Sequence, residues 1–154
     1  MNDSYSVREA TVGDIPTLMH HAVAMFRDMG VGDDASRARA AEVRAPWTAE
    51  RMRAGQYRSW LVEHGGAVVA GADVWLKPRQ PGPGSIQETV PYVLNVYCHP
   101  QHRRQGLARH LLKTITAWAH NEGYRTVELH ASDDGRPLYE DMGFAATNEM
   151  RLIL

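Results

Sequence analysis

The apolar positions of this chain change period several times, and each change marks an element. Ile15, Leu18, Met19, Ala22, Met25, Phe26 and Met29 recur at helical spacing. Asp14 precedes them as an N-cap, Pro16 suits the first turn, and Gly30 ends the helix. Residues 5–10 read as a short opening strand. Residues 34–54 are rich in Ala and Arg and interrupted at Pro46, which predicts two short, partly buried helical pieces. SWLVEH and AVVAGADVWL then read as strands joined by Gly65-Gly66, a two-residue hairpin signal. Residues 78–89, PRQPGPGSIQET, hold too many prolines and glycines for a regular element and predict an exposed loop.

VPYVLNVYC, residues 90–98, is a buried strand by its nearly continuous apolar run. Leu107, Leu111, Leu112, Ile115, Trp118 and Ala119 form one face of a helix over residues 104–122. RTVELHA (125–131) is the next strand, RPLYEDM a short helix, and the tail from Phe144 a final strand. Two strands joined through a helix of this length are expected to lie parallel with a right-handed crossover. Hairpins dominate elsewhere. The fold class is therefore α/β in the α+β sense, a central mixed sheet flanked by helices.

Composition narrows the picture only a little. The 154 residues suit one domain over 1–154, with 44% hydrophobic and 23% charged residues, ordinary for a globular chain. Seventeen basic against 18 acidic side chains give no global attraction to nucleic acid or to a membrane surface. A single cysteine, Cys98, excludes an internal disulfide, and the start of the chain has no apolar leader pattern. A cytoplasmic protein is the expectation, either monomer or homodimer.

Local charge is more informative. The 33 residues between Glu88 and Glu122 contain no acid, yet they hold Arg103, Arg104, Arg109 and Lys113. Cations at a helix start oppose the helix dipole unless an outside anion supplies the missing negative charge. Gly106 and Ala108 would let a bulky anion approach the free N–H groups of the first turn. A phosphate-bearing ligand explains the pattern economically.

The run Arg103-Arg104-Gln105-Gly106-Leu107-Ala108 fits Q/R-x-x-G-x-G/A. It follows a strand ending Val96-Tyr97-Cys98-His99-Pro100 and precedes Leu138-Tyr139-Glu140-Asp141-Met142-Gly143-Phe144. In this order and spacing the chain resembles the GNAT superfamily of N-acetyltransferases, at residue level over about positions 92–144. The resemblance implies a GNAT-like acyl-CoA N-acyltransferase fold with acetyl-CoA as co-substrate. Its pyrophosphate would rest on the N–H groups of Arg104, Gln105, Gly106, Leu107, Ala108 and Arg109, beside Arg103. Its pantetheine arm would pair with Val96, Tyr97 and Cys98. Ser132 and Gly135 stand where the family often has Asn and Ala, which implies an altered pantetheine contact. Arg136 either reaches a CoA phosphate or faces water.

Acetyl transfer needs a neutral amine, a donor for the developing oxyanion and a proton for the leaving thiolate. Tyr139 matches the family's general acid, and an N–H of the strand, that of Val96 foremost, would polarise the thioester. Glu88 is the candidate base, with Glu128 and His130 as rivals and a water chain as the fourth route. His99 and His102 lack a ligand set, and Pro100 breaks the helix they would need, so no metal is expected. Trp47, Trp60 and Trp75 are candidate pocket aromatics, with core packing favoured for Trp60 and Trp75. The leading function is acetylation of a primary amine on a small molecule, by direct attack in a ternary complex. Acetylation of a protein N-terminus or lysine, or a non-catalytic acyl-CoA sensor, are the alternatives. The basic cluster is too small to point to nucleic acid.

Overall fold

A computed structural model of the chain describes residues 4–154. Strand β1 (Tyr5–Glu9) leads through a 3₁₀ turn (Val12–Asp14) into α1 (Ile15–Asp28). Asp14 occupies the N-cap position of α1 but makes no side-chain cap there. Its carboxylate instead accepts the Thr11 N–H at 2.8 Å, closing a capping box around the 3₁₀ turn, and pairs with Arg8 at 2.8 Å. The Arg8 guanidinium holds that carboxyl down at about 2.

Residues 34–54 do not break at Pro46. They form one helix, α2 (Asp34–Arg53), with Pro46 inside it. Pro46 forfeits one hydrogen bond and costs about 3 kcal/mol relative to Ala. Its ring is exposed, so nothing else is displaced. A reciprocal Asp33/Ser36 capping box secures the start, and Ala41, Ala45 and Met52 pack on Leu18, Met19 and Leu61. Packing on α1 and the sheet outweighs the local penalty.

Strands β2 (Tyr57–His64) and β3 (Ala67–Pro78) form the expected hairpin, with Gly65 and Gly66 at φ +58° and +81° as a primed turn requires. β4 (Thr89–Cys98) follows the Pro/Gly loop, then α3 (Leu107–Asn121), β5 (Glu128–Leu129) and α4 (Arg136–Asp141). The sheet order is β1-β2-β3-β4-β5, antiparallel up to β4, with β4 and β5 parallel. One face packs Leu111, Leu112 and Ile115 of α3 on Val62, Ala72, Val74 and Val93; the other faces α1 and α2. Among the described residues no helix is long and apolar enough to cross a membrane.

The expected strand over 125–131 shrinks to two paired residues, and the expected strand from Phe144 does not form. The reasons are linked. β4 pairs with β5 only at Tyr92↔Glu128 and Val93↔Leu129 before the β4 backbone bulges away from the regular ladder. A two-residue β5 in turn offers little edge for a further strand. The tail is irregular, with Met150, Leu152 and Ile153 more than four-fifths exposed.

His21 of α1 is 5% exposed, its ring 4.9 Å from that of Tyr97. Burial, helped by the charges His20 and His99 would carry, pushes its pKa down to about 4. The folded state therefore refuses a proton that the unfolded chain accepts near pH 6.5. Stability from this group is complete above pH 6.5 and is lost as pH falls towards 4, by about 3 kcal/mol in all. Urea unfolding of wild type should reveal that slope, and His21→Gln should flatten it. Equal slopes would assign the acid sensitivity to other groups.

Candidate active site

The turn between β4 and α3 is built around two left-handed backbones, Arg104 at φ +60° and Gly106 at φ +78°. Successive turns of this kind gather backbone N–H groups into a concave, positive surface. Gly106 caps α3 without any side-chain hydrogen bond, so the N–H groups of the first helical turn lack a side-chain acceptor among the described residues. Apart from its chain neighbours, a Cβ added at Gly106 would meet no atom of the described residues within 4 Å; the space above it is open. Leu107, 2% exposed, anchors the helix start in the core.

The arginines divide by partner. Arg103 donates Nε–H to the Cys98 carbonyl at 3.0 Å and is ion-paired with Asp28 at the end of α1. Arg109 pairs with Asp141 of α4 at 2.5 Å. The acids absent from the local sequence thus come from distant elements. Arg104 has no carboxylate partner among the described residues, and it lines a cavity of about 1220 Å³. Gln105 is exposed beside it.

Val96, Tyr97, Cys98, Ala108, Ser132 and Tyr139 line the same cavity. Because the β4–β5 ladder stops at Val93, residues 94–98 have no strand partner on that side among the described residues. An extended ligand could take that place. The Ser132 hydroxyl accepts the Gly135 N–H at 3.1 Å. Arg136 lies outside the cavity wall, half-exposed, 3.9 Å from Glu140.

Tyr139 is 9% exposed, and burial raises its phenol above the ordinary value. It stays protonated at neutral pH, ready to donate. Its hydroxyl has no hydrogen-bond partner among the described residues. The ring packs edge-on to Phe144 at 5.9 Å and leaves no room at Gly135, where a Cβ would come within 2.8 Å of it. Glycine at this position is thus explained by the tyrosine. Gly135→Ala should displace the ring and lower turnover roughly tenfold or more, since misplacement of about 1 Å can cost 10²-fold. Unchanged kcat in that variant would show that the ring position is not critical.

Glu88 is exposed ahead of β4 and does not line the cavity. Of the rivals, His130 lines it and Glu128 does not. Beyond the β4 edge the cavity is lined by residues of α1, α2 and the sheet. Met25, Met29, Val43, Trp47, Trp75 and Tyr92 wall that end. Trp47 meets Trp75 and Tyr57 edge-to-face at 5.5 and 6.0 Å, whereas Trp60 lies in the core. Trp75, which the sequence assigns to the core, is instead part of the wall.

A buried polar set lies under this end. Asp73, 3% exposed, accepts hydrogen bonds from the Tyr57 hydroxyl at 2.8 Å and the Asn95 amide at 2.7 Å. Burial pushes the Asp73 carboxyl up, opposed by Ser59, Asn95, Tyr57 and the Arg44 charge. Sequence reasoning missed Asp73, Tyr57 and Asn95. The available signal was a lone polar residue inside each of two apolar strands.

A family model described as the Acetyltransferase (GNAT) family matches residues 24–144. The chain belongs to this family. A GCN5-related N-acetyltransferase from Ralstonia eutropha JMP134 is 31% identical to this GNAT chain, with a TM-score of 0.90 over 97% of this chain and 98% of that one. A predicted acetyltransferase from Clostridium acetobutylicum, crystallised with acetyl-CoA, is 21% identical with a TM-score of 0.89 over 97% and 96%. Among curated proteins, probable N-acetyltransferase family 8 member 5 of Mus musculus is 34% identical over 93 residues, 58% of this chain. N-acetyltransferase 8 of Rattus norvegicus is 32% identical over the same length. This GNAT chain spans 39% and 40% of those two relatives.

Proposed function

We propose that residues 1–154 act as one acetyltransferase domain, moving the acetyl group of acetyl-CoA to a primary amine of a small molecule. One observation carries this reading. A single cavity runs from Arg104, at the open N–H-rich turn, along the free edge of β4, past Tyr139, and on to the apolar end beneath α2. Phosphate charge, an extended arm, an acid and an acceptor each find matching chemistry in that order. The residues suit acetyl-CoA: an uncapped helix start for the pyrophosphate, and unladdered strand backbone for the arm.

In this reading the neutral amine attacks the thioester carbon within a ternary complex. A nitrogen–carbon bond forms and the carbon–sulfur bond breaks. Tyr139 gives its proton to the departing thiolate, and the proton shed by the new ammonium centre leaves through water in the cavity. The aromatic and thioether walls at the acceptor end favour an amine on an apolar body.

An amine panel with thiol-release detection tests the proposal. Arylalkyl and branched alkyl amines should outpace polar amino sugars and free lysine. Thiol release that never exceeds hydrolysis across the panel, with acetyl-CoA demonstrably bound, would sink the enzyme reading in favour of a sensor. Activity confined to peptides would move the acceptor to a protein.

A further inference from the structure

The bulge in β4 has an unusual support. Ala70 and Gly71 of β3 pair with Cys98 and Tyr97, but Asp73 pairs with Leu94, so β4 carries one extra residue there. The side-chain alternation slips with it. Val93 and Val96, three apart, both pack on the α3 side of the sheet. Within this slip Asn95 adopts φ +52°, a conformation disfavoured for a residue with a Cβ and rare within a strand. Such a backbone persists only where its surroundings over-determine it.

Hydrogen bonds supply the tether. The Asn95 amide donates to Asp73 Oδ2 at 2.7 Å and to the Tyr57 hydroxyl at 3.3 Å, and that hydroxyl also donates to Asp73 at 2.8 Å. Asn95 and Asp73 are 7% and 3% exposed, so water competes little for these contacts. A buried carboxylate, costly in itself, is hydrogen-bonded to Asn95, the one strand residue with positive φ among the described residues.

We propose that Asp73 is a positioning residue for acetyl transfer: by tethering Asn95 it holds the β4 bulge, and the bulge aims the next N–H, that of Val96, at the thioester oxygen. This rests on the acetyl-CoA reading above. Asp73 touches no substrate in this role, which it performs through Asn95. The arrangement is a preorganised donor: its orientation is set before the substrate arrives, so charge developing on the oxygen meets a fixed dipole.

The thioester carbonyl itself reports the result, without any acceptor amine. Isotope-edited infrared spectra of acetyl-CoA labelled with ¹³C at the carbonyl should show a lower stretching frequency when bound to wild type than when free. Asp73→Ala and Asn95→Ala should return the bound frequency most of the way to the free value. Both should lower kcat by roughly 10–100-fold while the KM for acetyl-CoA stays within about threefold, the pattern of a contact made mainly in the transition state. Asp73→Asn should retain most of the frequency shift, because its amide oxygen still accepts from Asn95. Should Asp73→Ala not fold, Asn95→Gly carries the same test: it allows the positive φ but removes the tether, so the shift should weaken. Equal shifts in wild type and the tether variants overturn the proposal. So does Asp73→Asn as inactive as Asp73→Ala with the carbonyl unmoved, which would make Asp73 a base instead. An unshifted carbonyl in bound wild type overturns this inference alone; no acetyl-CoA binding by wild type overturns the functional reading and this inference with it.

Discussion

Tyr139→Phe should lower turnover with any accepted amine by about 10²–10⁴-fold, the usual weight of general acid catalysis. The substitution removes one hydroxyl and keeps the ring that packs on Phe144 and fills the space beside Gly135. Because that hydroxyl bonds no described residue, its loss leaves no protein donor or acceptor stranded, and stability should barely change. Acetyl-CoA affinity should also survive, so the deficit should fall on kcat and not on KM. Burial holds the phenol above its ordinary pKa, so the acid remains protonated through neutral and mildly alkaline pH. The acidic limb of the wild-type rate profile should then follow deprotonation of the amine. Equal turnover by the variant would remove Tyr139 from the chemistry.

Gly106→Val should abolish the thermal stabilisation that acetyl-CoA gives wild type. Two penalties act together. A β-branched residue at φ +78° strains the turn, and its methyl groups would occupy the space open to a ligand above the N–H groups. Apart from its chain neighbours, no described protein atom lies within 4 Å of the added Cβ, so the side chain would stand in the ligand's space. Arg104→Ala separates charge from shape. It should weaken acetyl-CoA binding by roughly 1–3 kcal/mol, the range for a lost charge-assisted hydrogen bond, and reduce the salt dependence of binding. Calorimetric titration reads both effects. A dissociation constant unchanged in Arg104→Ala would return that arginine to a solvated surface role, and an intact thermal shift in Gly106→Val would move the pyrophosphate elsewhere.

What the sequence disclosed and what it hid follow one distinction. β4, the arginine turn and α3 are legible because their signals are local: an apolar run, a glycine at a helix start, a 3.6-residue period; Tyr139 stands out only through the family resemblance of the run from Leu138 to Phe144. Partners supplied across the fold are not legible. Asp28 and Asp141 neutralise Arg103 and Arg109 from 75 and 32 residues away. Asp73 and Asn95 stood visibly as polar breaks in apolar strands, yet only the β3–β4 pairing brings them together. Pro46 misled in the opposite direction, since a strong local breaker lost to tertiary packing. The tail from Phe144 carries apolar residues suited to a strand, but the short β5 gives them little to pair with. Glu88, the candidate base by its place ahead of β4, stands exposed, outside the cavity.

The strand order has a kinetic consequence. Every ladder joins strands that are neighbours in the chain, and β1 to β4 pair antiparallel without any strand inserting later between two others. Little loop-closure entropy precedes the β2–β3 and β3–β4 contacts, so that three-stranded meander should form early, whereas β1 reaches β2 only after closing across α1 and α2. The β4–β5 ladder also waits for a helical crossover, α3, but then gains only two residue pairs. Native-state hydrogen exchange should therefore find the slowest amides in β2 and β3, and the fastest strand amides in β5 and the outer edge of β4. The edge of the sheet where a co-substrate would bind is expected to open first, and a bound ligand should slow its exchange most.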